Sequence, residues 1–427
     1  MGAIHKTFDY LESNQVTKEK ARRSGGRMFA GEWEQRLSLG TLESRDSNAF
    51  STAMIICYLS RLSEENAGKL ALSEERLAAI NTVRSSAVES LQHFRYTRNT
   101  PAFDSYGYWP MYHQRPWKWE GVSDFLDQFS FINMKWFGDL EPVAPRVYFR
   151  SFRIWPDSDT TSSCYSALLF HSELSGDRKA AKDVRLCVFG RYLDQSNTNR
   201  YAPKTSVLQS GSGTFLTWLP PETRPDCPNE VDLVVNANVL VTLGRYKHLH
   251  TPGVKASVAW INRVIREGTH QNPRDVTTHY QHAWMIHACV ARAYKEGGVE
   301  DLKPSVKILL REVLSHGMKQ RDNTILWRGE SPVLATACAA STLIDADYQG
   351  PVLDGAIRYL VKQQGDDGSW KFGVIHMGSD ENGLGWKVKS RAAYSAFIMD
   401  VLCRYALTQR VTGTRGNAVS QILQNVR

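Results

Sequence analysis

The feature that most constrains the fold is a six-fold alternation between segments apolar on nearly every face and segments apolar on one face only. The first kind opens at Ser44 (SRDSNAFSTAMIICYL), Pro156 (PDSDTTSSCYSALL), Glu230 (EVDLVVNANVLVTL), Asp275 (DVTTHYQHAWMIHACV), Gly329 (GESPVLATACAASTLI) and Lys387 (KVKSRAAYSAFIMDVL). Each begins on a polar capping group and continues with small and apolar residues at helical spacing, as in a helix buried on both sides. Between them run amphipathic stretches at 74–94, 177–193, 254–267, 302–316 and 352–364, with a short basic one near 417–427. Regular alternation of burial is the signature of a stacked or closed helical repeat. Six hairpins can close, so the expected fold is all-α: an (α/α)6 barrel, or toroid, of six inner and six outer helices. The barrel is expected over 27–427 as a single domain with a long aromatic loop at about 96–155, preceded by a basic segment, 1–26, free to be flexible.

A hydrophobic content of 42% and a charged content of 22% over 427 residues suit a protein with a sizeable core. No apolar run reaches the roughly 18 residues of a membrane-spanning helix. The first 26 residues lack the apolar core of a secretory signal, and Lys6 breaks the myristoylation pattern. The seven cysteines are scattered, odd in number and never in a C-x-x-C pair. That argues against a disulfide framework or a zinc site, and for a reducing, cytoplasmic setting. The formal charge of +8 suits anionic partners or a solvated basic face, but no nucleic-acid motif accompanies it.

Tryptophans punctuate the repeat. Trp33, Trp109, Trp218, Trp327 and Trp370 each fall in the stretch leading into an inner segment, three of them in Gly-x-Trp. In QQGDDGSW, Gln364 and Trp370 flank a Gly-bearing turn, where Gln can bond free carbonyls ending the outer helix and Trp can pack over the turn.

Aligned without gaps on the small residues Ala53, Cys164, Ala237, Ala283, Ala337 and Ala396, the inner segments place Thr52, Ser163, Asn236, His282, Thr336 and Ser395 at one height. Four residues earlier, on the same face, stand Asn48, Asp159, Asp232, Thr278, Pro332 and Arg391. This predicts a polar ring at one mouth of the barrel, containing Asp159 and Asp232, with Asn236 and His282 a turn deeper and Arg391 further round. Converging helix N-termini there would suit an anionic group such as a diphosphate. Asp46, Asp157 and Asp275 also read as helix caps, Asp232 as a buried carboxylate bonding a neighbouring helix end, His282 as a core histidine, and Arg391 as a partner for Asp232.

Two motifs resemble those of a known family. Gln364-x-x-x-Gly368-x-Trp370 is similar to the QxxxGxW repeat of the terpene cyclase and squalene–hopene cyclase superfamily. Asp157-Ser158-Asp159-Thr160-Thr161 resembles the DxDD motif of class II terpene cyclases, with Thr160 in place of the last Asp. The resemblance implies an α/α barrel and a general acid, Asp159, that protonates an alkene or epoxide. Class II cyclases usually carry a second barrel, so this chain would be a single-domain relative. It further implies an isoprenoid substrate, a prenyl diphosphate or a prenylated aromatic.

Such chemistry needs a neutral carboxylic acid made acidic by its partners, in a dry pocket walled by aromatic faces. Asp157, Asp232, Asn236 or His282 could hold Asp159, and a water on Asn236 or His282 could serve as the terminal base. Asn48, Ser163, Arg391 and the aromatic Tyr108, Trp109, Trp119 and Trp155 are the expected substrate-binding residues. No cofactor is required. Mg²⁺ enters only with a diphosphate, for which Asp380 and Glu381 are candidate ligands. The apolar stretch 124–138 allows peripheral membrane contact. Two other readings compete: an α/α-barrel carbohydrate hydrolase or lyase pairing Asp159 with Asp232 or Glu43, and a non-catalytic barrel binding a lipid or a protein.

Overall fold

The computed structural model of the chain describes residues 1–18, 20–21, 27–39, 42–96, 105–108, 156–194, 211–219, 230–282, 284–371, 374–379 and 385–411. Its helices are α1 (Gly2–Asn14), α2 (Ala49–Leu59), α3 (Glu64–Leu70), α4 (Glu74–Ser90), α5 (Ser158–Ser175), α6 (Leu233–Arg245), α7 (Val254–Arg266), α8 (Met285–Lys295), α9 (Lys303–His316), α10 (Pro332–Asp345), α11 (Pro351–Lys362) and α12 (Arg391–Val411).

All six all-round apolar segments form helices: α2, α5, α6, α8, α10 and α12. Each packs on the next and α12 packs back on α2, closing an inner ring. The small residues Ala53, Cys164, Ala237, Ala337 and Ala396 are fully buried there, which lets the helices approach closely. Five inner helices start on side-chain caps. Asn48, Asp157, Asp232, Ser331 and Ser390 accept from backbone N–H groups two or three residues on. α8 starts ten residues later than its apolar segment, because 276–282 runs as turns ahead of it.

The outer layer is phased differently from the sequence expectation. Each repeat runs outer helix first, and α1 is the outer element of the first. Residues 2–14, read as part of a flexible basic segment, therefore form a helix packed on α12 and α4. Ile4, Phe8 and Leu11 are almost fully buried, each contributing about 1.5–3 kcal/mol of transfer free energy. α4, α7, α9 and α11 supply four further outer helices. Residues 177–193, expected to be helical, instead form turns and a 3-10 segment (Leu186–Arg191). Residues 417–427, assigned to the last outer helix, lie outside the described residues.

The Trp turns join the two layers. Trp33, Trp327 and Trp370 are buried, and their indole N–H groups donate to the carbonyls of Leu11 (2.7 Å), Val313 (2.9 Å) and Leu360 (2.7 Å) near the ends of α1, α9 and α11. Each thereby satisfies one of the carbonyls that a helix end leaves open. Gly31 (φ +97°) and Gly368 (φ +83°) adopt left-handed backbone. A Cβ at either would lie 2.0 Å from Ser86 O or 2.1 Å from Lys6 O, so neighbouring backbone fills the space a side chain needs. Gln364 donates to Ala3 O, Thr7 Oγ1 and Gly368 O, tying the last repeat to the first helix.

Short strands, absent from the all-α expectation, occupy the connections. β1 (Lys20–Ala21) pairs with β2 (Arg27–Met28), β5 (Arg95–Tyr96) with β6 (Ser105–Tyr106), and β7 (Met318–Lys319) with β8 (Ile325–Leu326). β3 (Gln35–Leu39), β4 (Leu42–Asp46), β9 (Val374–Ser379) and β10 (Gly385–Lys389) form an antiparallel sheet of order β4-β3-β10-β9. The central register, Trp386 on Leu39 through Lys389 on Arg36, pairs the segment entering α2 with that entering α12.

Around the C-terminal ends of α2, α8 and α10 and the middle of α12 lies a largely buried charge network. Arg61 bonds Glu296 and Asp400 (2.9 Å to the latter), while Arg404 bonds Asp345 and Asp400, each at 2.8 Å. Arg292 joins Glu296 at 3.2 Å. Guanidinium groups suit this end, where the helix dipoles present partial negative charge. Among the described residues no helix is long and apolar enough to cross a membrane.

Candidate active site

Asp157 and Asp159 open α5 and divide two jobs. Asp157 is the N-cap, accepting from Thr160 N at 2.6 Å. Asp159, inside the first turn, is 6% exposed. Its Oδ1 accepts from Asn238 Nδ2 of α6 at 2.8 Å, and its Oδ2 accepts from the Tyr280 hydroxyl. Three repeats thus meet at one carboxyl group.

The electrostatics favour a retained proton. Burial pushes the Asp159 carboxyl up to about 6, against the pull of the Tyr280 and Asn238 hydrogen bonds. Burial and the neighbouring Asp159 push Asp157 up to about 7, although the Thr160 N–H opposes. Burial alone would lower the His279 imidazole, but the Glu230 carboxylate 2.7 Å away outweighs it and raises the ring to about 9. An imidazolium–carboxylate pair therefore lies beside the acids, with the Trp218 ring edge-on to His279 at 5.7 Å.

The expected polar ring is only partly assembled. Asp232 is the cap of α6: its oxygens accept from Val234 N, Val235 N, Thr277 Oγ1, Thr278 N and His279 N, leaving little capacity for a substrate. It fastens the 277–280 turn and so aims Tyr280 at Asp159. Asn236 points outward, bonding Phe215 backbone and Ser257 of α7 rather than Asp159. Arg391 does not meet Asp232. It pairs with Asp367 at 2.8 Å and lies over the Tyr10 ring, its side chain 43% exposed.

Asn48 caps α2 and donates to Gln35 and, at 3.1 Å, to the Tyr108 hydroxyl, so these two expected residues do come together. Ser163, a turn below Asp159, directs its hydroxyl to Met54 Sδ at 3.6 Å. His282 is buried, and its ring bonds the backbone of Val374 while Nε2 has no hydrogen-bond partner among the described residues. Burial lowers its basicity, which keeps the ring neutral. Trp109, Trp119, Trp155, Asp380 and Glu381 lie outside the described residues, as does most of the aromatic loop.

Sequence reasoning missed Asn238, Tyr280 and the His279–Glu230 pair. Asn238 carried a signal: it is the second Asn in VVNANVLV, an amide in a helix buried on every side.

No family model matches the chain, and no curated protein matches its sequence. Solved structures do resemble it along its length. The apo type II terpene cyclase MstE from Scytonema is 13% identical, with 95% of this chain and 98% of that one covered at a TM-score of 0.55. A variant of that enzyme in complex with its substrate, geranylgeranyl dihydroxybenzoate, is 14% identical, covering 95% and 97% at 0.54. A family 76 glycoside hydrolase from a bovine Bacteroides thetaiotaomicron strain is 9% identical, covering 96% and 77% at 0.52. These likenesses define the fold as an α/α barrel of the kind expected from the class II cyclase motifs. At such identities they speak for the fold alone.

Proposed function

We propose that the chain is a class II terpene cyclase-like isomerase in which Asp159 protonates an isoprenoid and starts its cyclisation. The observation that carries this reading is a buried carboxyl raised to about 6 while hydrogen-bond donors occupy both oxygens. Burial raises the proton affinity above that of an ordinary carboxyl, and the donors stabilise the carboxylate formed when the proton leaves, which suits a general acid. The position of Asp159 in the first turn of α5 adds the helix dipole to that stabilisation.

Transfer of the Asp159 proton to a terminal alkene or epoxide generates a carbocation, which the internal double bonds capture in turn. The Phe50 and Tyr280 rings, 6.4 Å apart, offer π-faces beside the acid. His282 Nε2, on a ring that burial keeps neutral and without a hydrogen-bond partner among the described residues, is the base we assign to the terminal deprotonation, directly or through a water. One proton enters and one leaves, so the product is an isomer of the substrate.

A prenylated aromatic is the substrate class we favour, in keeping with the geranylgeranyl dihydroxybenzoate bound by the structurally similar cyclase. The acid step needs no cofactor, and Mg²⁺ would enter only with a diphosphate head group. A cytoplasmic location and peripheral contact with isoprenoid-bearing membranes accompany this reading; no nucleic acid is involved. A carbohydrate-active site is less favoured because Asp232, its expected second carboxylate, is occupied by backbone and Thr277 donors.

The test is incubation of the protein with farnesyl and geranylgeranyl diphosphate and with geranylgeranylated hydroxybenzoates and quinols, with and without Mg²⁺. Cyclic products of unchanged mass that disappear in a folded Asp159→Asn variant are expected. Turnover persisting in that variant would remove Asp159 from the role of acid.

A further inference from the structure

Apart from Asp159 and its hydrogen-bond partners, two buried imidazoles and a carboxylate converge between the fourth and fifth repeats. His270 lies in the 3-10 turn Thr269–Gln271 after α7, His287 in the first turn of α8, and Glu312 near the end of α9. Both Nε2 atoms stand 2.9 Å from the same oxygen, Glu312 Oε2. The three potential ligand atoms all lie within 4.8 Å of one another. The side chains of His270 and His287 are 0% and 6% exposed.

From this convergence we propose a binding site for one divalent transition-metal ion of the zinc class, with His270, His287 and Glu312 as ligands and water in the fourth position. Two imidazoles and one carboxylate form a donor set that suits borderline ions such as Zn²⁺. Bonds of about 2.0–2.1 Å in a tetrahedron separate ligand atoms by about 3.3 Å, so the two close contacts need open by only a few tenths of an ångström. Outer contacts already orient the set. Gln271 Nε2 donates to the other Glu312 oxygen at 3.3 Å, and the Trp284 ring packs on His287 at 4.9 Å. The three ligands come from three separate elements, so a bound ion clips the α7–α8 connection to the outer helix α9.

The test uses the full chain, stripped with chelator and exchanged against Zn²⁺ or Co²⁺ at micromolar free concentration. One zinc per chain by elemental analysis is expected, with a tetrahedral Co²⁺ visible spectrum and a higher thermal midpoint on zinc addition. His270→Ala and Glu312→Gln should retain wild-type circular dichroism and lose all three signals. Because an alanine could instead loosen packing, His270→Cys is the control: restored zinc binding with a thiolate-to-Co²⁺ charge-transfer band identifies a ligand. Failure of the folded wild type to retain zinc, or equal retention by Glu312→Gln, would overturn the site and leave a hydrogen-bonded cluster. Asp159 chemistry is read independently of both outcomes.

Discussion

The proposed chemistry depends on which of two nearby aspartates holds a helix start and which faces the interior. Asp157 caps, so Asp159, two residues and about 200° further round the helix, reaches Asn238 and Tyr280. Asp159→Asn should lower turnover at least about 10³-fold with unchanged circular dichroism, in line with loss of a general acid. Tyr280→Phe removes a donor that lowers the Asp159 value. With Asp159 as the proposed acid the active form is the protonated one, so activity should fall as pH rises through about 6; in the variant that limb should move to higher pH. The plateau rate should drop roughly tenfold, because one hydrogen bond to the departing charge is lost. A packing defect would lower the rate without moving the limb. Stability follows the same sign. Asp157 and Asp159 hold protons in the native state that the unfolded chain releases near an ordinary carboxylate value of about 3.9. Their contribution is therefore full below that value and declines as pH rises through about 6 to 7. Thermal midpoints at acid and neutral pH should differ less for Asp159→Asn than for wild type. The motif made Asp159 legible in the sequence, whereas its partners were not, because aligning Asp159 with the caps Asn48 and Asp232 shifted the helices by two residues. That shift turned attention to Asn236 in place of Asn238, and Tyr280 stands in the turn ahead of α8, where a helical alignment does not apply.

At the scale of the element, the repeat is held by Trp turns whose backbone matters as much as their side chains. Gly368→Ala and Gly31→Ala each place a methyl group against a backbone carbonyl at positive φ. Either should cost about 2 kcal/mol or more in denaturant unfolding, whereas alanine at Gly68 of α3, which meets nothing within 4 Å, should be neutral or stabilising. Trp370→Phe keeps most of the apolar contact but removes the indole donor to Leu360 O, leaving it the Gln363 N–H at 3.2 Å, a loss of about 1 kcal/mol. The inner helices were readable because burial on every face leaves no polar stripe. The outer phase was not: the charged and polar residues of α1 hid the buried set Ile4, Phe8 and Leu11. The four-stranded sheet escaped because its pairing joins residues from opposite ends of the chain, and period-2 alternation over five residues carries no record of a distant partner.

Across the whole molecule, the N-terminal ends of the inner helices hold the acids and the far side holds paired charges. Arg404→Met would leave Asp345 and Asp400 buried without one of their cations, at a cost of about 3–5 kcal/mol in denaturant unfolding. The double variant Arg404→Met/Asp345→Leu should recover part of that loss, since an apolar pair avoids the desolvation penalty. Closure of the ring was legible as a count of hairpins, but its seam was not, because nothing local marks Gln364 as a partner of Ala3 and Thr7. That seam has a consequence in time. Ala3 and Gln364 are 361 residues apart in the chain. At roughly 5–20 residues per second, a ribosome delivers the second about 20–70 s after the first. Once residue 90 has been made, α4 is available to α1 but α12 is not, so the larger part of the seat for α1 is still unsynthesised. The barrel is therefore closed only after translation has reached its last repeat, and until then the nascent chain offers chaperones the exposed apolar face of α1.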